Sequence, residues 1–199
     1  MNIISKESPF PHIIIDNVFD KKELELIWNE LIFLAPKMRA AEDNQTGTAK
    51  NERGIPKKTG VGVMLDAFFT DQQNSDILIY AKKILQVETM VEADKLGIYF
   101  NLLKKIQRGT TLVQMYRNGD YYDPHEDFFV FTSVILLHKE PKKYHGGELN
   151  FPNFDYCPSL KNNQCIIFPS SVLHEVTEVN SDSKFTEDAR FTITQFLAL

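Results

Sequence analysis

The hydropathy period changes at Thr110, and that change constrains the fold more than any other feature of the chain. Before it, apolar residues recur at helical spacing. Leu24, Ile27, Trp28, Leu31, Ile32 and Ala35 share one face, and Pro36 ends the run. Asp20, with Glu23 three positions on, has the spacing of a capping box and starts this helix. A second amphipathic helix is predicted from about Ser75 to Leu85, and residues 86–106 read as mixed and helical. After Thr110 the apolar runs are short and bounded by turns: Thr111–Tyr116, Phe128–Leu137, Glu148–Phe151, Gln164–Phe168, Val172–Val176 and Arg190–Phe196. Phe10–Phe19 adds a strand through Ile13, Ile14 and Ile15. Helices followed by short strands predict an α+β, mainly β, domain built as a double-sheet roll.

At 199 residues the chain is read as a single domain, 1–199, with 1–109 as helical support and 110–199 as the β core. Residues 38–62 are polar and without period. They read as a long loop, either a lid over a site or a disordered segment. The net charge of −5 lacks the basic surplus of a nucleic-acid binder, so no nucleic-acid partner is expected. Lys57-Lys58 is read as one of several lysine pairs that solvate a surface. Cys157 and Cys165 form no Cys-x-x-Cys pattern and are read as reduced thiols. The first ten residues hold no apolar signal region, and no apolar run is long enough to cross a bilayer. A cytoplasmic location is the expectation, with no membrane partner.

The chemistry gathers in two short segments. Tyr122-Asp-Pro-His125-Glu-Asp127 places a histidine and an aspartate at i and i+2, on one face of a strand. Ser171-Val-Leu-His174-Glu-Val176 places a second histidine at a strand beginning. Two imidazoles and one carboxylate on one side of an ion form the facial triad of non-haem iron(II) oxygenases, with positions left open for reactants. Zinc takes similar ligands, but a zinc hydrolase needs a general base nearby. Strand alternation aims Glu126 and Glu175 away, and no His-Glu-x-x-His helix is present. His12, His138 and His145 lack partners at ligand spacing and are read as structural or solvent-facing.

Arg190, Thr192 and Thr194 alternate along the last strand and share a face. An inward arginine there needs an anion, for which a carboxylate is the natural bidentate match; a half-exposed surface arginine is the alternative.

The stretch Gln114-Met-Tyr116-Arg-Asn-Gly119-Asp-Tyr-Tyr122-Asp-Pro-His125-Glu-Asp127 resembles the metal-site approach of the iron(II)/2-oxoglutarate-dependent dioxygenases, in their prolyl-4-hydroxylase-like branch. Gly146-Gly147-Glu148-Leu149, His174-Glu-Val and Arg190-Phe-Thr-Ile-Thr are similar to the segments that follow in that family. The resemblance covers residues 110–199 and, more loosely, 10–35. It implies a double-stranded β-helix of jelly-roll or cupin-like form, with iron held by His125, Asp127 and His174. It implies 2-oxoglutarate bound at its distal carboxylate by Arg190 and Tyr116, with help from Thr192. Fe(II), 2-oxoglutarate and O2 would be required, with ascorbate as an accessory cofactor. Asp127 stands where related halogenases carry a small residue, so hydroxylation is the expected chemistry. Arg190 follows His174 by sixteen positions, further than the family's usual spacing, and Lys184 sits where collagen-type prolyl hydroxylases place a lysine anchor. Arg190 is preferred because it heads a clear strand, whereas Lys184 lies in a polar turn-like stretch.

The expected function is hydroxylation of a prolyl or other residue in a peptide or protein, with Tyr121-Tyr122 helping to clamp it. The alternatives are hydroxylation of a free amino acid or small metabolite, which a charged residue deep in the pocket would favour, and a cupin-like binding protein without turnover. Nucleobase demethylation is disfavoured by the acidic charge.

Overall fold

Alternation along the C-terminal strands produces a two-faced antiparallel sheet, and the two faces do different things. The computed structural model describes residues 1–40 and 48–199. Its elements run β1 (Asn2–Lys6), β2 (His12–Asp16), α1 (Lys21–Leu34), β3 (Arg39–Ala40), β4 (Val61–Met64), α2 (Leu65–Phe68), α3 (Asp76–Tyr80), α4 (Val87–Lys95), β5 (Arg108–Tyr116), β6 (Tyr122–His125), β7 (Phe131–Leu137), β8 (His145–Gly146), β9 (Leu149–Asn150), β10 (Gln164–Pro169), β11 (His174–Val176), β12 (Val179–Asn180) and β13 (Arg190–Ala198). The major sheet has the order β1-β2-β10-β7-β13-β5-β4-β3; β6-β11-β9 form a minor sheet, and β12-β8 a short pair. The molecule is therefore mainly β, with its helices in the first half, as the period change at Thr110 predicts.

One face of the major sheet carries Val113, Met115, Ile135, Leu137, Phe191 and Ile193, all buried in one apolar cluster with Ile27, Leu31, Leu34, Ile77, Ile84 and Ala93 of the helical half. Each such large side chain contributes roughly 1.5–3 kcal/mol on burial, so this layer is what fixes the sheet on its helices. Trp28 meets Phe191 edge-on, with ring centroids 5.6 Å apart. The helix entry is fixed by the predicted cap: Glu23 N–H donates to Asp20 Oδ1 and Asp20 N–H to Glu23 Oε2, both at 2.9 Å. The predicted 75–85 helix is one α-helical turn and more, α3, continued as a 3-10 helix over Ala81–Leu85. Residues 86–106 supply α4 and a second 3-10 segment, Phe100–Lys105.

The opposite face carries Leu112, Gln114 and Tyr116 of β5, Thr132 and Val134 of β7, and Arg190, Thr192, Thr194 and Phe196 of β13. They line a cavity closed on the other side by Tyr122, His125, Leu149, His174 and Val176 of the minor sheet. Two facing sheets with a lined interior are the roll that the sequence predicts.

Three local readings change. β1 is an edge strand pairing with β2 from Asn2↔Asp16 to Lys6↔His12, and its half-exposed, partly polar side chains give little hydropathy signal. Residues 38–62 are not one loop. Arg39–Ala40 pairs with β4, and β4 pairs with β5 from Val61↔Met115 to Met64↔Leu112. Residues 41–47 of the expected lid lie outside the described residues. Finally, Phe128 belongs to no strand and is 97% exposed; β7 begins at Phe131.

Candidate active site

The antiparallel pairing of β6 and β11 sets His125 opposite His174, with ring centroids 4.3 Å apart. Each imidazole is fixed by its own local backbone. His125 Nδ1 lies 2.8 Å from Asp123 O, and His174 Nδ1 lies 2.9 Å from Val172 O. A carbonyl can only accept, so Nδ1 carries the proton and Nε2 presents its lone pair. Asp127 closes the triangle, Oδ1 at 4.0 Å from His125 Nε2 and Oδ2 at 3.5 Å from His174 Nε2. The three ligand atoms lie within 4.8 Å of one another, and no other such cluster is found among the described residues.

Asp127 reaches this position by a route other than strand alternation. β6 ends at His125, so the i, i+2 argument does not apply to the aspartate. Its N–H donates to Ser170 O at 2.9 Å, and Thr132 Oγ1 donates to its Oδ2 at 2.6 Å. Thr132 spends its proton on the carboxylate, so Ser170 Oγ, 2.9 Å away, donates in turn to Thr132. Thr132 and Ser170 are site residues that the sequence reading missed; a threonine within a buried apolar run is the only signal they leave.

Burial dominates the electrostatics. It pushes His125 down to about 3, with the neighbouring His174 second, and it lowers His174 against the pull of Asp127. Burial also raises Asp127, opposed by His174 and by the Thr132 hydrogen bond. Neutral imidazoles are the form that ligates a metal, and a cation arriving between these groups would return the carboxylate to its charged form.

At the other end of the cavity Arg190 is 1% exposed. Its Nε donates to Gly147 O at 2.5 Å, and its guanidinium carbon stands 5.0 Å from the centre of the Tyr116 ring. Its Nη1 is buried and has no partner among the described residues. Tyr116 Oη accepts from Gln114 Nε2 at 3.0 Å, and burial raises the phenol, so it keeps its proton. Thr192 and Thr194 each donate to Gln114 Oε1 at 3.3 Å. Gln114 thus orients Tyr116 and both threonines, a role the sequence did not disclose. An unspent guanidinium N–H beside an unspent phenol O–H makes a receptor for a carboxylate, since an orphaned buried donor is costly. Lys184 is exposed and lies at a separate pocket behind Tyr116, away from this cavity.

Lys58 corrects the reading of Lys57-Lys58 as a solvated pair. Lys57 Nζ donates to Pro124 O at 2.7 Å, whereas Lys58 is 3% exposed and lines the cavity. Burial pulls the Lys58 ammonium down to about 8. Tyr122 stacks on His125 with centroids 3.5 Å apart, and its Oη accepts from Ala49 N–H, so it supports the histidine instead of standing free to clamp a substrate. His12 and His138 are buried and hydrogen-bonded away from the cavity, and His145 is exposed, as expected.

Residues 111–198 match the family model of the 2OG-Fe(II) oxygenase superfamily. No curated protein matches the chain by sequence. Its fold is similar to that of a Pseudomonas putida prolyl-4-hydroxylase, at 13% identity and TM-score 0.62, covering 94% of this chain and 92% of that one. It is also similar to the viral collagen prolyl hydroxylase of Paramecium Bursaria Chlorella virus-1 solved with 2OG, at 17% identity and TM-score 0.54, covering 94% and 96%. The alpha-ketoglutarate-dependent epimerase SnoN of nogalamycin biosynthesis is similar at 14% identity and TM-score 0.55, covering 94% and 78%. The double-stranded β-helix is therefore shared, and it hosts more than one reaction.

The donor set fits the iron(II) and 2-oxoglutarate that the description of the matched family model names. Two Nδ1-anchored imidazoles and a carboxylate suit a non-haem iron, and the orphaned Arg190 Nη1 suits the distal carboxylate of 2-oxoglutarate.

Proposed function

We propose that the protein is a hydroxylase in which His125, Asp127 and His174 hold Fe(II) and Arg190 with Tyr116 holds the distal carboxylate of 2-oxoglutarate. The buried Arg190 Nη1, without a partner among the described residues and in the same cavity as the triad, carries this reading. Bound iron and 2-oxoglutarate supply O2 activation for insertion of oxygen into a C–H bond, with succinate and CO2 as co-products. The chain's own residues do the rest. Gly147 O and the Tyr116 ring orient the guanidinium, Gln114 turns the phenol, and Thr132 fixes the carboxylate of Asp127. Leu112, Val134, Leu149, Val176 and Phe196 keep the cavity apolar around them, which strengthens each of these interactions.

Two substrate readings follow. Similarity to prolyl hydroxylases supports a prolyl or other residue in a peptide, and a trough of about 360 Å³ beside the cavity, walled by Met64, Phe128, Phe129 and Phe196, offers it space. The buried Lys58 supports a free amino acid or other small acid, and it is the observation specific to this chain, so the second reading is preferred. Ascorbate as an accessory cofactor and a cytoplasmic setting belong to the same proposal, on family resemblance and sequence alone. Fe(II)-dependent succinate release, measured with proline-rich peptides in one arm and free amino and organic acids in the other, tests both levels. Release stimulated by the acids is expected; stimulation by peptides alone would reverse the order, and no release in either arm would sink the hydroxylase.

A further inference from the structure

Of the two cations that the described residues bring to the cavity, Arg190 serves the cosubstrate in this reading and Lys58 does not. Its backbone bridges that of Tyr122, next to the metal triad, and its Nζ stands 5.6 Å from the centre of the Tyr122 ring. That ring face compensates the charge only weakly. Among the described residues no hydrogen-bond or ion-pair partner is found for Lys58 Nζ, in contrast to its neighbour Lys57, which is tied to Pro124 O. Lys58 is 3% exposed, so its ammonium is largely desolvated, and that costs more than a ring face returns.

The charges of the cavity say what is missing. Among the described residues its lining holds two fixed cations, Lys58 and Arg190, against the single carboxylate of Asp127. A divalent iron and a dianionic cosubstrate cancel each other. One positive charge is then left over, and it sits on Lys58, beside the triad. Resting on the oxygenase reading, we infer that Lys58 is a specificity-determining residue whose ammonium pairs with a carboxylate of the substrate itself, so that the substrate is a small organic acid and not an internal residue of a peptide. The apolar walls of the cavity and the Phe129–Phe196 stack at its mouth, with centroids 5.0 Å apart, would take the acid's hydrocarbon part. An internal prolyl residue has no carboxylate to offer, and its neutral backbone would leave Lys58 buried and unpaired.

Calorimetric titration of the Fe(II)- and 2-oxoglutarate-loaded protein, kept anaerobic, separates the possibilities. The probes are acetate and phenylacetate, each against its neutral amide, and the proteins are wild type, Lys58→Met and Lys58→Arg. Lys58→Met keeps the length of the side chain and removes a buried charge, so it is expected to fold. The wild type is expected to bind each acid at least tenfold more tightly than its amide. Lys58→Met should lose that preference, Lys58→Arg should keep most of it, and both should bind 2-oxoglutarate within about twofold of wild type. An acid preference that survives in Lys58→Met overturns the assignment. So does an absence of preference in wild type, including failure of either acid to bind. A tenfold loss of 2-oxoglutarate affinity in Lys58→Met would mean that the ammonium serves the cosubstrate. If the loaded wild-type complex does not form at all, judged by its visible absorption before any probe is added, the oxygenase reading itself fails.

Discussion

Gly147 and Arg190 fit together so closely that neither tolerates a larger partner. The Gly147 carbonyl accepts from Arg190 Nε at 2.5 Å, and a Cβ built on Gly147 would stand 2.7 Å from Arg190 Cδ. Gly147 also has φ +67°, a conformation costly for a residue with a side chain. Gly147→Ala should therefore displace the guanidinium. The expected outcome is a loss of 2-oxoglutarate affinity of about tenfold or more, the equivalent of about 1.4 kcal/mol, with iron affinity retained. Unchanged affinity for both would mean that this contact does not position the anchor.

The choice of anchor is tested by comparing Arg190→Ala with Lys184→Ala in 2-oxoglutarate titrations. Arg190 is buried in the cavity with an unspent Nη1, and Lys184 is exposed outside it. Losing a charge-assisted pair in a buried site costs about 2–5 kcal/mol, so Arg190→Ala should weaken binding by more than tenfold. Lys184→Ala should change it less than twofold. The opposite order would move the anchor to Lys184.

Much of this arrangement was legible in the sequence, and what was not has a physical reason. The helix from Asp20, the period change at Thr110 and the inward face Arg190-Thr192-Thr194 each repeat at a period that the sequence displays. His125 and His174 could be paired because their segments each carry a local signature. Asp127 lies beside the two histidines, but strand alternation does not put it there, since it lies past the end of β6 and is held by Ser170 and Thr132. Gln114, Thr132 and Lys58 were missed as site residues because their importance depends on what a distant strand brings to them. Lys58 in particular sits in a polar segment, where nothing local distinguishes a buried lysine from a solvated one.

Thr132→Val is a near-isosteric change that removes the donor to Asp127 Oδ2. Partners of metal-ligating carboxylates typically account for 10- to 100-fold in metal affinity, and a loss of about tenfold is expected here. Anaerobic Fe(II) or Mn(II) titration reads it directly. Wild-type affinity in Thr132→Val would show that the carboxylate is held well enough by its backbone.

Lys58 should also leave a mark on stability. Its folded-state value lies near 8, below the usual lysine value of 10.5, because burial disfavours the charged form. The unfolded chain therefore binds more protons between those limits. The contribution of Lys58 is complete above about 10.5 and is lost as pH falls through 8. At neutral pH the protein without metal or cosubstrate carries a penalty on the order of 3 kcal/mol from this side chain. Denaturant unfolding of Lys58→Met against wild type at pH 7 and pH 10 checks the sign, because other groups cancel in the difference. Lys58→Met should be the more stable protein at pH 7, with the gap narrowing toward pH 10. A gap independent of pH would mean that the ammonium is not desolvated.

The central claim is that the His125, Asp127 and His174 cluster and the Arg190 pocket together bind iron and 2-oxoglutarate as one unit. Anaerobic titration of the purified protein with Fe(II) and 2-oxoglutarate, followed by visible absorption, tests it most directly. A charge-transfer band that requires both additions, disappears in Asp127→Ala and needs far more 2-oxoglutarate in Arg190→Ala is the predicted result. A folded wild-type protein that shows no band, or an Asp127→Ala protein that keeps it, would contradict the account.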